Sequence, residues 1–460
     1  MKKIFIYLSI FSFIFAQKIQ INPQFLYSYK SDSEDYSLRN SSVNDMEIGM
    51  FINYSNNNLN IDSYNGYHLI KGPNNSYSDF TPTTGLDWVK RDPGLGKNIR
   101  NYYIADMSFQ YGDSAFSIYI NKTSKHWGFG KRSLTISNKV PSFPHLGFYM
   151  PLSSMFKFEY FHGSLQSNID DSNYNNYYTA GKNKQINRNI VAHRLKIKPS
   201  NFINIILNEL VIYSNRSIEW TYLMPFIPFF PLQNYLNDID NIIMSIDFEY
   251  ILNIHKRIYI SFLIDEWSPI YTFTKKNHNW FGYQIGFEFK NLYSKQDQLL
   301  IEYVWTDHRI YHHRFSSNDV YSWGYPLGFW AGPHAQELIL KYKFTFYNRE
   351  FDIFASNTKR GEYTSSMRTL QYNGEQNDIA YQRFGVNSSI CEDCIGTTES
   401  KYKFSISVLN SINSNLNLNL KYTYIYWINS GFNPLLPVAD ISLPNIVKNS
   451  FSLDINYKFY

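Results

Sequence analysis

Apolar and polar residues alternate with a period of two along most of this chain. Met46, Ile48, Met50, Ile52 and Tyr54 share one face, with Glu47, Gly49 and Asn53 on the other. Tyr103, Ala105, Met107, Phe109 and Tyr111 repeat the pattern; Gly112-Asp113-Ser114 then turns into Phe116, Ile118 and Ile120, which predicts a hairpin. Further alternating runs cover Ile242 to Tyr250, Ile258 to Ile264, Phe281 to Phe289, Leu299 to Trp305, Leu338 to Phe346, Leu416 to Tyr426 and Phe451 to Phe459. Gln17 to Asn40 is polar and poorly patterned, with no convincing helix. Between Asn121 and Ile190 the phase is lost: Phe156, Phe158 and Tyr160 read as a strand, but the Asn-rich Ser167 to Asn189 is long where a short turn is due.

The connections carry as much information as the strands. Those around Leu252–Lys256, Lys290–Gln298 and Asn348–Glu350 are short. Asp265 to Trp280, Thr306 to Glu337, the excursion from Ser356 and Trp427 to Ser450 are long. Short and long alternate, as an outer-membrane barrel with short periplasmic turns and long outer loops requires. Aromatic residues make up 18% of the chain, more than a soluble sandwich needs, while overall hydropathy stays below zero. Both fit strands that face lipid and lumen in turn. The reading is therefore all-β, a transmembrane antiparallel outer-membrane β-barrel; at roughly ten residues per strand plus connections it would hold ~16–18 strands.

The chain opens with a targeting signal over residues 1–16: Lys2 and Lys3, an apolar core from Ile4 to Phe15, and Ala16 before the expected cut. Residues 17–460 form one barrel domain. No Cys follows the cut, which argues against a lipid anchor. Removing the leader takes two lysines off the formal charge of +5 and leaves +3. That near-neutral balance, without a basic block, excludes nucleic acid as a partner. Thr221 to Leu236 is the best remaining apolar stretch, but Pro225, Pro228 and Pro231 break it, so it is expected as a loop or an irregular wall segment.

One stretch departs from the alternation: His126 to Met150, with Trp127-Gly128-Phe129-Gly130, Ser133-Leu134-Thr135-Ile136-Ser137, Asn138 and then Pro141 to Pro144 before Gly147. It resembles the central signature of the Wzi-type capsule assembly proteins. Later segments extend the resemblance over roughly residues 103–346: Ala192-His193-Arg194-Leu195, Leu207-Asn208-Glu209 with Val211-Ile212-Tyr213, Tyr222-Leu223-Met224-Pro225, Asp240-Asn241, Leu263-Ile264-Asp265-Glu266-Trp267, Ile301-Glu302-Tyr303 through Asn318, Tyr325-Pro326-Leu327-Gly328 and Gly332-Pro333-His334-Ala335-Gln336-Glu337-Leu338. The resemblance implies an outer-membrane barrel that holds capsular polysaccharide or exopolysaccharide at the bacterial surface without a covalent bond. Outer-membrane lipid and, during biogenesis, the barrel-assembly machinery are its implied partners. The C-terminal strand, with Phe459 on its apolar face, resembles the signal that machinery reads, although Tyr460 falls out of phase. A periplasmic helical plug is not carried over.

Sugar recognition uses aromatic faces against C–H surfaces and planar polar groups against hydroxyls; acidic polymers add a need for Arg and Lys. Trp127, Lys131, Arg132 and Asn138 in the signature, and Tyr311, His312, His313, Arg314 and Trp323 in the long connection, have that chemistry. A second reading stands beside it. His193, Arg194, Glu209, Asp265 and Glu302, with Arg132, are equally candidates for a lumen charge network that braces the barrel, because buried charges must be paired. Asp265 continues the inward face of its strand; Glu266 falls on lipid-facing parity and must lie past the membrane edge or after a bulge. His308, His312, His313 and His334 lack a second ligand group at fixed spacing, so no metal and no other cofactor is expected. Cys391 and Cys394, the only cysteines, would form a small disulfide in an outer loop. No Gly-x-Ser-x-Gly, His-Glu-x-x-His or phosphate-cradling loop points to an enzyme. A passive or substrate-specific channel is the alternative function; a hydrolase with catalytic residues scattered over the strands is a more distant one.

Overall fold

The computed structural model describes residues 19–73, 77–85, 98–174, 183–267, 270, 279–361, 399–434 and 443–459, with the backbone of 90–91. The leader, Cys391, Cys394 and Tyr460 lie outside the described residues. The main sheet contains eighteen long strands. The first nine are β1 (Ile19–Lys30), β2 (Val43–Asn56), β3 (Leu59–Lys71), β4 (Ile99–Gly112), β5 (Ser117–Thr123), β6 (Phe143–Pro151), β7 (Phe156–Asp170), β8 (Gln185–Ile197) and β9 (Ile203–Ser214). The others are β10 (Asn241–Asn253), β11 (Lys256–Glu266), β12 (Trp280–Lys290), β13 (Gln298–Thr306), β14 (Ala335–Phe346), β15 (Arg349–Arg360), β16 (Glu399–Ser411), β17 (Leu416–Ile428) and β18 (Ile446–Lys458). Each pairs antiparallel with its sequence neighbours. β1 pairs with both β2 and β18, Phe25 standing opposite Ile48 and Tyr457, so the sheet closes into a barrel with no free edge strand.

The connections after even-numbered strands are two to seven residues long and share one end of the barrel; those after odd-numbered strands are long and share the other. By the architecture of such barrels the short-turn end is periplasmic. The phase lost in the sequence is restored by β6, which lies inside the signature stretch. With Phe143–Pro151 as a strand, the Asn-rich connection moves to the long-loop end. β1 likewise emerges from the poorly patterned segment: Ile19, Ile21, Phe25, Tyr27 and Tyr29 take alternate positions with Gln24 buried. Asp265 is buried and Glu266 exposed, with the register shifting between Ile264 and Glu266 opposite Trp280, which is the bulge that parity demanded.

Outward positions form an exposed apolar belt that includes Ile48, Met107, Ile120, Leu146, Leu340, Leu420 and Phe451. The inner face differs between the two ends. Toward the periplasm it is polar. Toward the outer end Leu165, Ile190, Ala192, Leu210, Ile212, Ile243, Leu263, Val304 and Trp427 point inward and join one buried apolar cluster. Three connections complete that cluster from the middle of the lumen: Phe80 from the one after β3, Trp127 to Val140 from the one after β5, and Ile310 to Ala331 from the one after β13. The lumen thus holds a dry, packed plug made of the barrel's own outer loops.

The connection after β9 turns the other way. A helix, α1 (Phe229–Tyr235), and a short 3-10 turn at Trp220–Leu223 lie against the outward face of β7, β8 and β9. Tyr222 and Phe229 are buried there against Phe158, Tyr160, Val191, Val211 and Tyr213. Thr221 to Leu236 was expected as loop or irregular wall; Pro228 caps α1 and Pro231 occupies its first turn, where a missing N–H costs no helical bond. No helix among the described residues is long and apolar enough to cross a membrane.

Candidate functional site

The signature connection enters the lumen as an irregular hairpin. Trp127 N–H donates to the Ile136 carbonyl at 2.9 Å, and the Ser133 hydroxyl closes on the Trp127 carbonyl. Gly128 sits at φ +141°, a backbone state that favours glycine. The tip, Phe129 to Arg132, is held by one carboxylate. Glu302 of β13 accepts the Lys131 N–H at 2.7 Å through Oε2 and the Arg132 N–H at 2.9 Å through Oε1, and the Tyr259 hydroxyl also donates to it. A Cβ at Gly130 would stand 2.5 Å from Glu302 Oε2 and 2.2 Å from Gln284 Nε2, so only glycine lets the chain approach this closely.

Charged groups fix the rest of the hairpin to the wall. Arg132 forms a two-point pair with Glu337, Nε at 2.7 Å and one terminal nitrogen at 2.9 Å, and Glu337 also accepts from the Trp330 indole at 2.8 Å. Arg194 pairs with Glu159 and lays its guanidinium 4.6 Å from the centre of the Trp127 ring, while Phe161 packs edge-on against that ring. Lys139, almost fully buried, donates to the carbonyls of Asp79, Thr81 and Thr83 at 3.2, 2.8 and 3.1 Å. In the connection after β13 the Tyr311 N–H donates to Asp265, and its hydroxyl donates to the Leu134 carbonyl at 2.6 Å. The two inserts therefore lock each other.

The sugar candidates separate into three groups. Trp127 and Tyr311 are buried inside the plug and Arg132 is half-buried there, with their polar and aromatic surfaces occupied. Lys131 is exposed, but it lines a cavity of about 320 Å³ with Arg257, Gln298 and Lys343, on the periplasmic side of the plug. Asn138 and Arg314 are exposed near the outer end and Trp323 is half-buried there; Arg314 donates to the Asp238 backbone in the neighbouring loop. His313 is buried. Burial holds its imidazole down at about 4, so the ring is neutral at ordinary pH. His308, beside Asp307 and edge-on to His334, is pushed down to about 3 by the same cause. Among the described residues no three His, Cys, Asp or Glu side chains converge as a metal site.

Of the charge-network candidates, Arg194, Asp265 and Glu302 do face the lumen and tie plug to wall. His193 and Glu209 do not. They stand opposite one another on the outward face of β8 and β9, joined at 2.8 Å and covered by the connection after β9: Pro225 O lies 2.9 Å from His193 Nδ1, Phe229 N–H donates to Glu209 at 2.7 Å, and the Phe229 ring stacks 4.1 Å over the imidazole. The expected lumen position is corrected by strand parity, since Asn208 and Arg194 beside them point inward. Lys139 and Trp330, both central to the plug, were not singled out from sequence, and Glu337 stood only within a resembling motif, with no role assigned. A buried lysine held by carbonyls and an aromatic face far away in sequence leaves no pattern in its neighbours.

The arrangement offers an exposed rim of amide and guanidinium groups, an aromatic ring and a rigid support beneath them, which is chemistry for binding. No family model matches the chain, and no curated protein matches it. Solved structures do. Wzi, an outer-membrane protein involved in group 1 capsule assembly in Escherichia coli and described as a carbohydrate-binding β-barrel, superposes with a TM-score of 0.59 at 13% identity, covering 98% of this chain and 87% of that one. OccAB2 of Acinetobacter baumannii superposes with a TM-score of 0.51 at 9% identity, covering 97% and 98%. At these identities the likeness is one of fold, that of an outer-membrane β-barrel.

Proposed function

We propose that this chain is a non-enzymatic, Wzi-like barrel of the outer membrane, exported by its N-terminal leader, that retains capsular polysaccharide or exopolysaccharide at the cell surface. The observation that carries the reading is the packed plug: Trp127, Leu134, Ile136, Tyr311, Leu327 and Phe329 close the lumen at its outer half with an apolar core and paired charges. A solute-conducting barrel needs a wet path through that region, so the plug weighs against the channel alternative. The carbohydrate-binding description of the superposable Escherichia coli barrel agrees with the polymer reading. Asn138, Arg314 and Trp323 at the outer rim are the residues we assign to polymer contact; Trp127, Arg132 and Tyr311 support them from below.

The test is polymer retention in the native host. Deletion of the gene should shed polymer into the medium while synthesis continues. Arg314→Ala and Asn138→Ala, confirmed at the surface by antibody, should lower cell-bound polymer several-fold with unchanged barrel stability. Trp127→Ala should lower retention only along with plug stability. Unchanged cell-bound and released polymer in the deletion strain would sink the proposal.

A further inference from the structure

Two strands of the wall stop short. β5 has 7 residues and β6 has 9, between β4 with 14 and β7 with 15. β5 reaches only Met107 on β4, and β6 reaches only Gly163 on β7. Among the described residues, Tyr102 to Asp106 of β4 and the part of β7 above Gly163 face each other across two missing strands, about 14 Å at ordinary strand spacing, while residues 90–91 pair with the β4 edge nearer the rim, at Arg100 and Asn101. The plug covers part of this window: Trp323 N–H donates to the Gln166 carbonyl on the β7 edge at 3.1 Å. On the β4 edge the Lys122 ammonium takes the place of a strand, donating to the Ala105 carbonyl at 2.8 Å and to Ser142 at 2.9 Å.

A cavity of about 640 Å³ lies behind the window. Five consecutive residues of β4, Tyr102 to Asp106, line it. Neighbouring residues on a strand point to opposite faces, so one space can touch all five only by wrapping around a free edge. Among the described residues the cavity therefore opens through the wall. From the short turn after β4, Tyr102 to Asp106 stand roughly 15–25 Å up a tilted strand, in the outer half of a hydrophobic band ~25 Å tall. Its walls carry the faces of Tyr36, Tyr77 and Trp323 and the cations Lys30, Lys122 and Arg100. Lys30 is paired with Asp35 at 3.2 Å and Lys122 lies 3.4 Å from Asp106. Arg100 differs: one terminal nitrogen donates to the Tyr36 hydroxyl, while its buried Nε finds no acceptor.

A guanidinium with a spare donor, set among aromatic rings beside lipid, suits one kind of ligand. We propose that this cavity binds an anionic sugar unit, a phosphorylated or carboxylated pyranose, which enters sideways through the gap between β4 and β7. Phosphate or carboxylate would take the free N–H of Arg100, and the ring would lie on tyrosine faces. Such a unit comes either as the headgroup of an outer-leaflet glycolipid or as part of a soluble acidic polymer; the sideways entrance serves the first. The proposal stands on the cavity alone, so failure of the polymer-retention test leaves it in place.

The full chain reconstituted in nanodiscs with a phosphorylated diglucosamine lipid, or with the same lipid stripped of phosphate, is repurified in detergent, and retained glycolipid is counted by mass spectrometry. The phosphorylated form should be retained roughly tenfold better than the stripped one. Arg100→Gln should abolish that preference. Ala105→Trp, which places bulk on the window edge, should lower retention without changing heat-modifiable gel migration, a measure of barrel folding that serves both variants. Equal retention of the two lipids, or retention indifferent to either substitution, overturns the proposal. So does binding of soluble oligogalacturonate that Ala105→Trp leaves intact while no glycolipid is retained, since the cavity would then fill from above.

Discussion

Glu302 shows how much a single carboxylate can organise. Its oxygens accept two successive backbone N–H groups, and replacing it breaks both at once. Glu302→Ala should loosen the signature hairpin by about 3 kcal/mol, from two charge-assisted bonds lost in a low-dielectric site. Hydrogen exchange at Lys131 and Arg132 would report it, while β13 amides stay protected. Sequence presented Glu302 and Arg132 as members of one possible network but could not show that the arginine's own backbone, more than its side chain, is what the glutamate holds. Glu34, in the connection after β1, offers a pH test inside the lumen. Burial pushes its carboxyl up, but Lys403 and Lys421 outweigh that and hold it down at about 2, against 4.5 when free. A depressed carboxyl contributes fully above its unfolded value and loses that contribution as pH falls through the folded one. The connection after β1 should therefore stay protease-resistant above about pH 4.5 and become cleavable as pH falls toward 2, with Glu34→Gln cleavable throughout.

At the scale of elements, legibility followed burial. Strands with lipid on one face and mostly polar groups on the other, such as β13 and β18, keep the two-residue alternation and were legible by it. β7 and β9 are buried on both faces, by the plug within and by the connection after β9 without; Phe158-Glu159-Tyr160-Phe161 and Leu210-Val211-Ile212-Tyr213 accordingly lose the alternation. Double burial erases the signal on which phase depends. The same cause misplaced His193 and Glu209, because an ion pair on a lipid-facing parity makes sense only once α1 is known to cover it. Phe229→Ala tests that cover. Removing a fully buried ring that stacks on His193 should cost about 3–5 kcal/mol locally. The connection after β9 should then become cleavable by protease in detergent, while barrel migration on unheated gels stays unchanged.

For the whole molecule, the fold class was visible because a barrel's constraints are written along the entire chain, in alternating faces and in alternating connection lengths. The fate of the loops was not, because a loop that folds inward differs from one that reaches outward only through partners far away in sequence, as Arg132 and Glu337 are. That distinction decides between an open barrel and a closed one, and it can be measured. Purified chain in planar bilayers should give no steady porin-like conductance. Deleting Gly128 to Val140 and joining the ends with a short glycine-serine linker removes the hairpin that spans the lumen while leaving every β-strand intact. That variant should conduct in steps of constant size, and Arg132→Ala combined with Glu302→Ala, which frees the hairpin without deleting it, should flicker between closed and conducting states. Steady conductance from the intact chain would mean that water crosses a region packed by Trp127, Ile136 and Tyr311. The plug would then be a gate, and the channel function would regain its claim.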